Sequence, residues 1–541
     1  MHTATRPRAA HRTIDWVMLA LCLVVLGASI LYPTVRLLLR AFADWRGAAV
    51  MQGAGFLAAR NTLLMSFASV LMSGVVGTAL AFVFARYAFP GRRVLAALAY
   101  LPFALPPLVG VVAFYYLIGR DGFLPLFFER AFGIEHVFPR GPAAILLIHT
   151  YSFYVFFYAM VGAALENMDA SQLEAARTLG ASRARVFFKV TLPMLKPALL
   201  GASLLTFMSS GASFSAPLIF GNDFPMLSVR IFEENTQFNE AEALTLTVIL
   251  AMVSLFGVAI FRSRTVVTGV ASKGVRTPLR SRSARILVAA LAAGTIGVVL
   301  VPHATILWLS FVDHERWFSE LVPTAMTLGN YLGVFRDPRA FAPIRNSLWM
   351  SALAAAATLL VALPAGYLIA RRRPGGRCVN FLVMIPWALP GTVIAMNLIV
   401  AFNDPWLPRH TVIALLPLAY FVRSVPLLTR MAAASIEPFD ATLIEAGRTL
   451  GATRLRCFVR IVVPLLGPAL IAGTALVFAN CLGEFVASIL LYRPTNMPIS
   501  VQINMHLRGS GIGSAFAYSV FLMVMVASTF IAARRLGSRV L

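Results

Sequence analysis

Few residues in this chain have a type and a spacing that could do chemistry. The histidines, including His136, His149, His303 and His410, show no paired metal-ligand spacing and fall on different segments. The cysteines Cys22, Cys378, Cys457 and Cys481 form no CxxC and read as small packing residues. Neither set points to a metal site or a cofactor, and no catalytic residue is identified. There is no GxxxxGK[ST], nor any Gly-Lys dipeptide, so the chain has no P-loop to cradle a nucleotide. What remains is one acid in an apolar setting. Glu484 lies inside an apolar run, where a carboxylate is costly unless paired or wetted, and the nearest candidate partner is Arg423, midway along another run. Two readings stay open, a structural ion pair and a charge that lines or gates a path. The first half of the chain carries Ser213 and Ser152 at the equivalent positions, so any such site is asymmetric.

The elements that would position these residues are membrane helices. Apolar residues make up 59% of the 541 and charged residues 13%, a balance unsuited to a soluble multidomain protein. A helix needs about 20 apolar residues to cross a hydrocarbon core. Such runs lie near 14–38, 62–85, 94–118, 142–165, 198–220 and 243–261, and again near 286–311, 347–370, 379–402, 411–435, 469–491 and 515–533. The predicted fold class is therefore all-α, polytopic, with about twelve transmembrane helices. The first run follows Arg6, Arg8 and Arg12 but exceeds a typical signal-peptide core of about 7–15 residues, and no small-residue cleavage site follows it, so a span is expected.

The formal net charge of +24 is explained without nucleic acid. Basic residues concentrate in one alternating set of connecting segments and acidic residues in the other, the positive-inside pattern, which places both termini in the cytoplasm. The stretch from Arg262 to Arg285 carries seven basic residues and no acidic one. On the opposite side, Asp223, Glu233, Glu234, Glu240 and Glu242 cluster between the fifth and sixth runs, either as a solvated loop or as a docking face for a partner.

The chain repeats itself. Asn61-Thr-Leu answers Asn346-Ser-Leu and Arg86 answers Arg371, each 285 positions apart, and LPFALPP from Leu101 answers IPWALPG from Ile385. An even number of runs per unit makes this a parallel repeat. The expected organisation is a first transmembrane domain over 1–262, a basic linker over 263–284 and a second domain over 285–541. Pro102 and Pro106 in the third run of one half, and Pro386 and Pro390 in the other, remove backbone donors and clash with the preceding turn, so each helix must kink or open. A broken helix survives in lipid only beside protein or a water-filled cavity; lining a pathway and serving helix packing alone are both open.

The clearest repeat is polar. EAARTLGASRARVFFKVTLP begins at Glu174 and EAGRTLGATRLRCFVRIVVP at Glu445. Ser171-x-x-Glu174 and Thr442-x-x-Glu445 have the form of capping boxes that start a short helix. Glu174 reaches Arg177, and Glu445 reaches Arg448, at a spacing that stabilises helices by about 0.2–0.5 kcal/mol. Gly180 and Gly451 supply the left-handed exit, and Ser182 and Thr453 cap a second short helix expected to stop before Pro193 or Pro464. Good capping alone does not require two loops to share this pattern while the surrounding runs diverge. A common external partner does.

This pattern resembles the EAA loop by which permease subunits of bacterial ABC importers grip their ATPase, and over its whole length the chain resembles fused, two-domain permeases of the ferric-iron importer type. Segments GEFVASILLYRPTNMPISVQI from Gly483 and SFSAPLIFGNDFPMLSVRI from Ser213 are similar to the fifth-span endings of that group. One departure is Gly447, where the family usually has Ala. The resemblance implies a bacterial inner-membrane transport subunit, not an enzyme. ABC ATPase subunits, two copies, would dock on Glu174, Ala175, Ala176, Gly180 and Pro193 and on Glu445, Ala446, Gly451 and Pro464, while a periplasmic solute-binding protein delivers cargo. Ferric iron is the implied cargo, with thiamine, aminoethylphosphonate or another small solute as alternatives. An ion-coupled secondary transporter, or a passive channel, would share the twelve spans but would leave the duplicated loop unexplained.

Overall fold

The computed structural model describes residues 8–47, 50, 52–119, 122–134, 138–168, 170–261, 277–278, 281–313, 325–402, 409–438, 442–457, 460–461, 463–509 and 511–540. His136 lies outside the described residues, as does the linker 263–284 apart from 277–278 and 281–284. The chain opens with α1 (Arg8–Leu26), a π turn (Gly27–Leu31) and α2 (Tyr32–Ala43). There follow α3 (Ala54–Arg86), α4 (Arg92–Leu98), α5 (Leu101–Ala104), α6 (Pro107–Ile118), α7 (Phe123–Phe132) and α8 (Pro142–Glu166). The first half closes with α9 (Ala170–Thr178), α10 (Arg183–Val186), α11 (Leu192–Gly211), α12 (Ser215–Phe220), α13 (Leu227–Thr236) and α14 (Glu240–Phe261). The second half runs from α15 (Arg282–Ser310) through α16 (Gly329–Arg336), α17 (Pro338–Ala370), α18 (Gly376–Ala388), α19 (Gly391–Phe402) and α20 (Arg409–Ile436). It ends with α21 (Thr442–Thr449), α22 (Arg454–Cys457), α23 (Val463–Leu482), α24 (Val486–Leu491), α25 (Ile499–Arg508) and α26 (Ile512–Val540). The only two-stranded pairing among the described residues is the short parallel one of β1 (Tyr87–Ala88) with β2 (Thr277–Pro278).

Eleven helices among the described residues are long and apolar enough to cross a membrane. A twelfth span exists if α18 and α19, bent by 111° against each other, are taken as one. The fold is thus all-α and polytopic, as the apolar runs predict. At 33 residues each, α3 and α17 are about 50 Å long, more than the ~30 Å hydrocarbon core, so their ends project beyond it.

Two compact units form, and they do not coincide with the halves 1–262 and 285–541. One comprises residues 46–328 and the other 1–45 with 329–541. The first helix therefore belongs with the second half, and α15 with the first. The reason is visible in the cores. Leu19, Cys22, Leu26 and Ile30 of the N-terminal segment bury against Met350, Ala354 and Ala355 of α17 and Val379 and Val383 of α18. In the other unit Ala292, Ile296 and Val299 of α15 bury with Leu80, Phe84 and Tyr154.

Within each unit the same helices pair. α3 packs along α8 and α17 along α20, and α11 and α23 lie against both members of their respective pairs. Lipid removes most of the hydrophobic drive between helices, so close approach at small residues does the holding. A Cβ on Gly77 of α3 would run into the Tyr154 carbonyl of α8, and one on Gly366 of α17 would meet Ala432 Cβ of α20. The hydrogen bonds repeat too. Asn61 Nδ2 donates to the Pro225 carbonyl at 3.1 Å and Asn346 Nδ2 to the Met497 carbonyl at 3.1 Å. The next residue, Thr62 or Ser347, accepts from the amide of Leu227 or Ile499 at 3.0 and 2.9 Å. Each Asn-Thr/Ser pair therefore fixes the start of α13 or α25 in its own unit.

Candidate functional site

The duplicated polar loops have one geometry. Each short helix, α9 and α21, ends in a left-handed glycine, Gly180 at φ 79° and Gly451 at φ 81°. The glycine amide donates to Arg177 or Arg448 at 2.9 and 3.0 Å, and the amide after it to Ala176 or Gly447 at 3.1 Å in both loops. This is the paired 5→2 and 6→1 closure of a Schellman turn. Ser182 Oγ then accepts from the Arg185 amide and Thr453 Oγ1 from the Arg456 amide, both at 3.3 Å, so the expected second caps are present. Two details differ from expectation. α9 begins at Ala170, one residue before Ser171, and α10 does not stop before Pro193. The helix continues through a π turn (Phe187–Thr191) into α11, with Pro193 in the first turn of that helix. The wider turn makes room for a ring that would clash with a tight α turn, and it explains how a proline is carried here without ending the helix. Pro464 likewise lies in the first turn of α23, with Arg460 and Ile461 in π conformation before it.

Glu174, Ala175 and Gly180, like Glu445, Ala446 and Gly451, are exposed, and Ala176 and Gly447 are half-buried. The loops also present a side chain that the motif reading passed over. Leu179 and Leu450, each directly before the glycine, are both 88% exposed. Two leucines projecting from two matching turns have no folding role that the structure displays; an apolar residue in a charged, duplicated loop was the available signal. Gly447 also has a local cause, since a Cβ there would meet Ile461 Cδ1 at 2.9 Å and Cys457 Sγ at 3.1 Å.

The intramembrane charges come together. Arg423 Nε lies 3.1 Å from Glu484 Oε2 and Nη1 donates to Oε1 at 3.3 Å, with Glu484 8% exposed and Arg423 42%. Glu484 sits in the break between α23 and α24, where its carboxylate also accepts from the Ala487 amide at 2.9 Å and so caps α24. The guanidinium rests on Gly391, the first residue of α19, where any Cβ would collide with Nη1. Arg423 of α20 thereby links two helix breaks, those of the third and fifth spans. The equivalent region of the other unit is neutral. His149 Nε2 is 2.8 Å from Ser213 Oγ, and Nδ1 is 2.9 Å from Ser69 and 3.1 Å from Ser210. A histidine whose sequence setting offered no metal-ligand spacing is thus the hub tying three spans.

The prolines break their helices as expected. Leu105 and Leu389 leave helical geometry for extended backbone, each directly before the second proline of its pair. Pro102, Pro106, Pro386 and Pro390 are all buried by protein, while Phe103 and Trp387, between the prolines of each pair, are exposed. The acidic cluster is also more structured than composition suggests. Arg230 lies within ion-pair distance of Glu233, Glu234 and Glu242, and Asn239 Nδ2 donates to Glu234 and Glu242 at 2.8 and 2.9 Å. Glu234 is consequently buried rather than solvated.

Residues 74–268 and 362–541 each match the family described as binding-protein-dependent transport system inner membrane component. The chain belongs to this family. It is similar to a probable ABC transporter permease of Sinorhizobium fredii, 31% identical over 461 residues that cover 82% of this chain and 80% of the relative. It is 28% identical over 523 residues to a ferric transport system permease of Actinobacillus pleuropneumoniae, covering 92% of this chain and 75% of that one. A sulfate transport system permease of Salmonella typhimurium is 34% identical over 210 residues, 38% of this chain and 75% of its own length. The chain is therefore an ABC importer permease, a multi-pass inner-membrane transport subunit whose ATPase is a separate subunit. An ion-coupled transporter or a passive channel is set aside.

Proposed function

We propose that this chain is the two-domain membrane subunit of a ferric-iron importer, with one ATPase docked on each duplicated loop and a periplasmic binding protein delivering cargo to the opposite face. The observation that carries the reading is the pair of matching turns that present Leu179 and Leu450 to solvent beside Glu174 and Glu445. An exposed leucine on a turn rigidified at its glycine is a preformed knob for an apolar socket, and preorganisation lowers the ordering cost of binding. Both loops follow the fourth span of their half, so they share one face; the positive-inside bias makes that face, and both termini, cytoplasmic.

Cargo would pass where the third and fifth spans break. A mid-span arginine that remains 42% exposed is intolerable against lipid and calls for water beside it. Arg423 and Glu484 therefore border the pathway, with Pro102, Pro106, Pro386 and Pro390 shaping the breaks behind Phe103 and Trp387. The relative for ferric iron, which aligns along 92% of this chain, supports that cargo; the sulfate relative keeps a small oxyanion as the alternative. The test is reconstitution in proteoliposomes with the ATPase and an iron-loaded binding protein. Uptake of radioactive iron should need both partners and ATP. Uptake driven by a proton or sodium gradient without ATP refutes the mechanism, and ATP-driven uptake of sulfate in place of iron refutes the cargo.

A further inference from the structure

The turn between the second and third spans is made twice. Pro90-Gly91 and Pro374-Gly375 each carry a left-handed glycine, at φ +74° and +76°. Both turns are basic, with Arg86, Arg92 and Arg93 around one and Arg371, Arg372, Arg373 and Arg377 around the other. In the second half α1 covers the turn. Asp15 Oδ2 lies 3.5 Å from Arg373 Nε, and a Cβ on Gly375 would strike Leu19. A protein carboxylate thus answers that arginine cluster.

Among the described residues no helix or carboxylate covers the turn of the first half; β2 pairs only beside it, at Tyr87 and Ala88. A Cβ on Gly91 would reach only Leu95 Cδ1, at 4.0 Å. A cleft of about 340 Å³ opens there, lined by Ala88, Phe89, Gly91, Arg92, Arg93 and Val94. Arg92 is engaged inward, by the Phe84 carbonyl and by Glu166 at 3.4 Å. Arg93 is exposed, and no carboxylate among the described residues pairs with it. α15, which packs on α4, begins with Arg282 and Arg285 and brings no acid. Beside Arg93, Val94 is 64% exposed, and Ile286 and Leu287 of α15 are exposed as well. In a membrane such side chains meet acyl chains, so Arg93 stands where headgroup gives way to hydrocarbon.

We propose that this cleft binds an anionic phospholipid, with its phosphate on Arg93 and an acyl chain along Val94, on the membrane face of the duplicated loops. The lipid supplies from outside the negative charge that Asp15 supplies in the other half. A soluble oxyanion would share the phosphate contact but gain nothing from the apolar wall.

The purified full-length chain, delipidated in detergent, would be mixed with phosphatidylglycerol or phosphatidylethanolamine and read by native mass spectrometry, with monodisperse elution confirming each variant is folded. Wild type should retain phosphatidylglycerol preferentially. Arg93→Gln should lower that retention about fivefold, the attraction of one basic residue for an anionic surface, and Arg93→Lys should keep most of it. Equal retention of the two lipids, no change in Arg93→Gln, or an equal loss in Arg377→Gln at the covered turn would overturn the proposal. Complete displacement by millimolar inorganic phosphate would overturn it in favour of a soluble anion.

Discussion

Neutralising Arg423 alone should damage this protein more than neutralising Arg423 and Glu484 together. In Arg423→Gln the Glu484 carboxylate, 8% exposed, loses both guanidinium contacts and keeps the Ala487 amide. Breaking a fully buried pair costs about 3–5 kcal/mol. Arg423 is 42% exposed, which moves the pair toward the exposed limit of about 1 kcal/mol. A coupling energy of about 1–3 kcal/mol follows for this half-buried case. Glu484→Gln is the right partner substitution, because its amide oxygen can still accept from Ala487 and leave the cap on α24 intact. Unfolding in mixed micelles of wild type, the two single variants and the double variant closes the cycle. A coupling within about 0.5 kcal/mol of zero would refute the pairing argument. If stability recovers in the double variant while ATP-driven uptake does not, the charges act on the pathway; if both recover, the pair is structural.

Two further outcomes follow from the loops. Gly180→Val should weaken co-purification of the ATPase by straining the turn by about 1–2 kcal/mol, since no atom stands within 4 Å of a Cβ there and only the left-handed backbone objects; Gly180→Asn, which tolerates that region, should retain most of it. Gly447→Ala should lower stability by about 1 kcal/mol through crowding against Ile461 and Cys457. Adding Ile461→Val should restore it, because the other loop pairs Ala176 with Val190 at the same positions; thermal unfolding of the three proteins decides.

Much of this architecture was legible because its signals are local. Span number follows from apolar run length, Gly180 and Gly451 mark a left-handed exit, and the second proline of each pair marks a helix break. The Arg423–Glu484 contact was readable because an isolated carboxylate in lipid leaves so few alternatives. What was hidden depends on packing at a distance. Nothing in the run from Trp16 to Val35 says that it belongs with the second half, since the decision rests on Leu19 and Cys22 fitting the small-residue surface of α17. His149 looked ordinary because its partners, Ser69, Ser210 and Ser213, come from two other spans. Pro193 suggested a helix end because one π turn, invisible to propensity, absorbs it. The acidic cluster left a solvated loop and a docking face equally open because Arg230, the one cation within it, gathers Glu233, Glu234 and Glu242 only after α13 and α14 fold together.

The central claim is that each duplicated loop holds one ATPase. Native mass spectrometry of the purified complex counts the copies directly, for wild type, Leu179→Asp, Leu450→Asp and the double variant. The wild-type chain should carry two ATPase copies, either single variant one and the double variant none. A single copy on the wild type, or two copies persisting when both leucines are replaced, would contradict it.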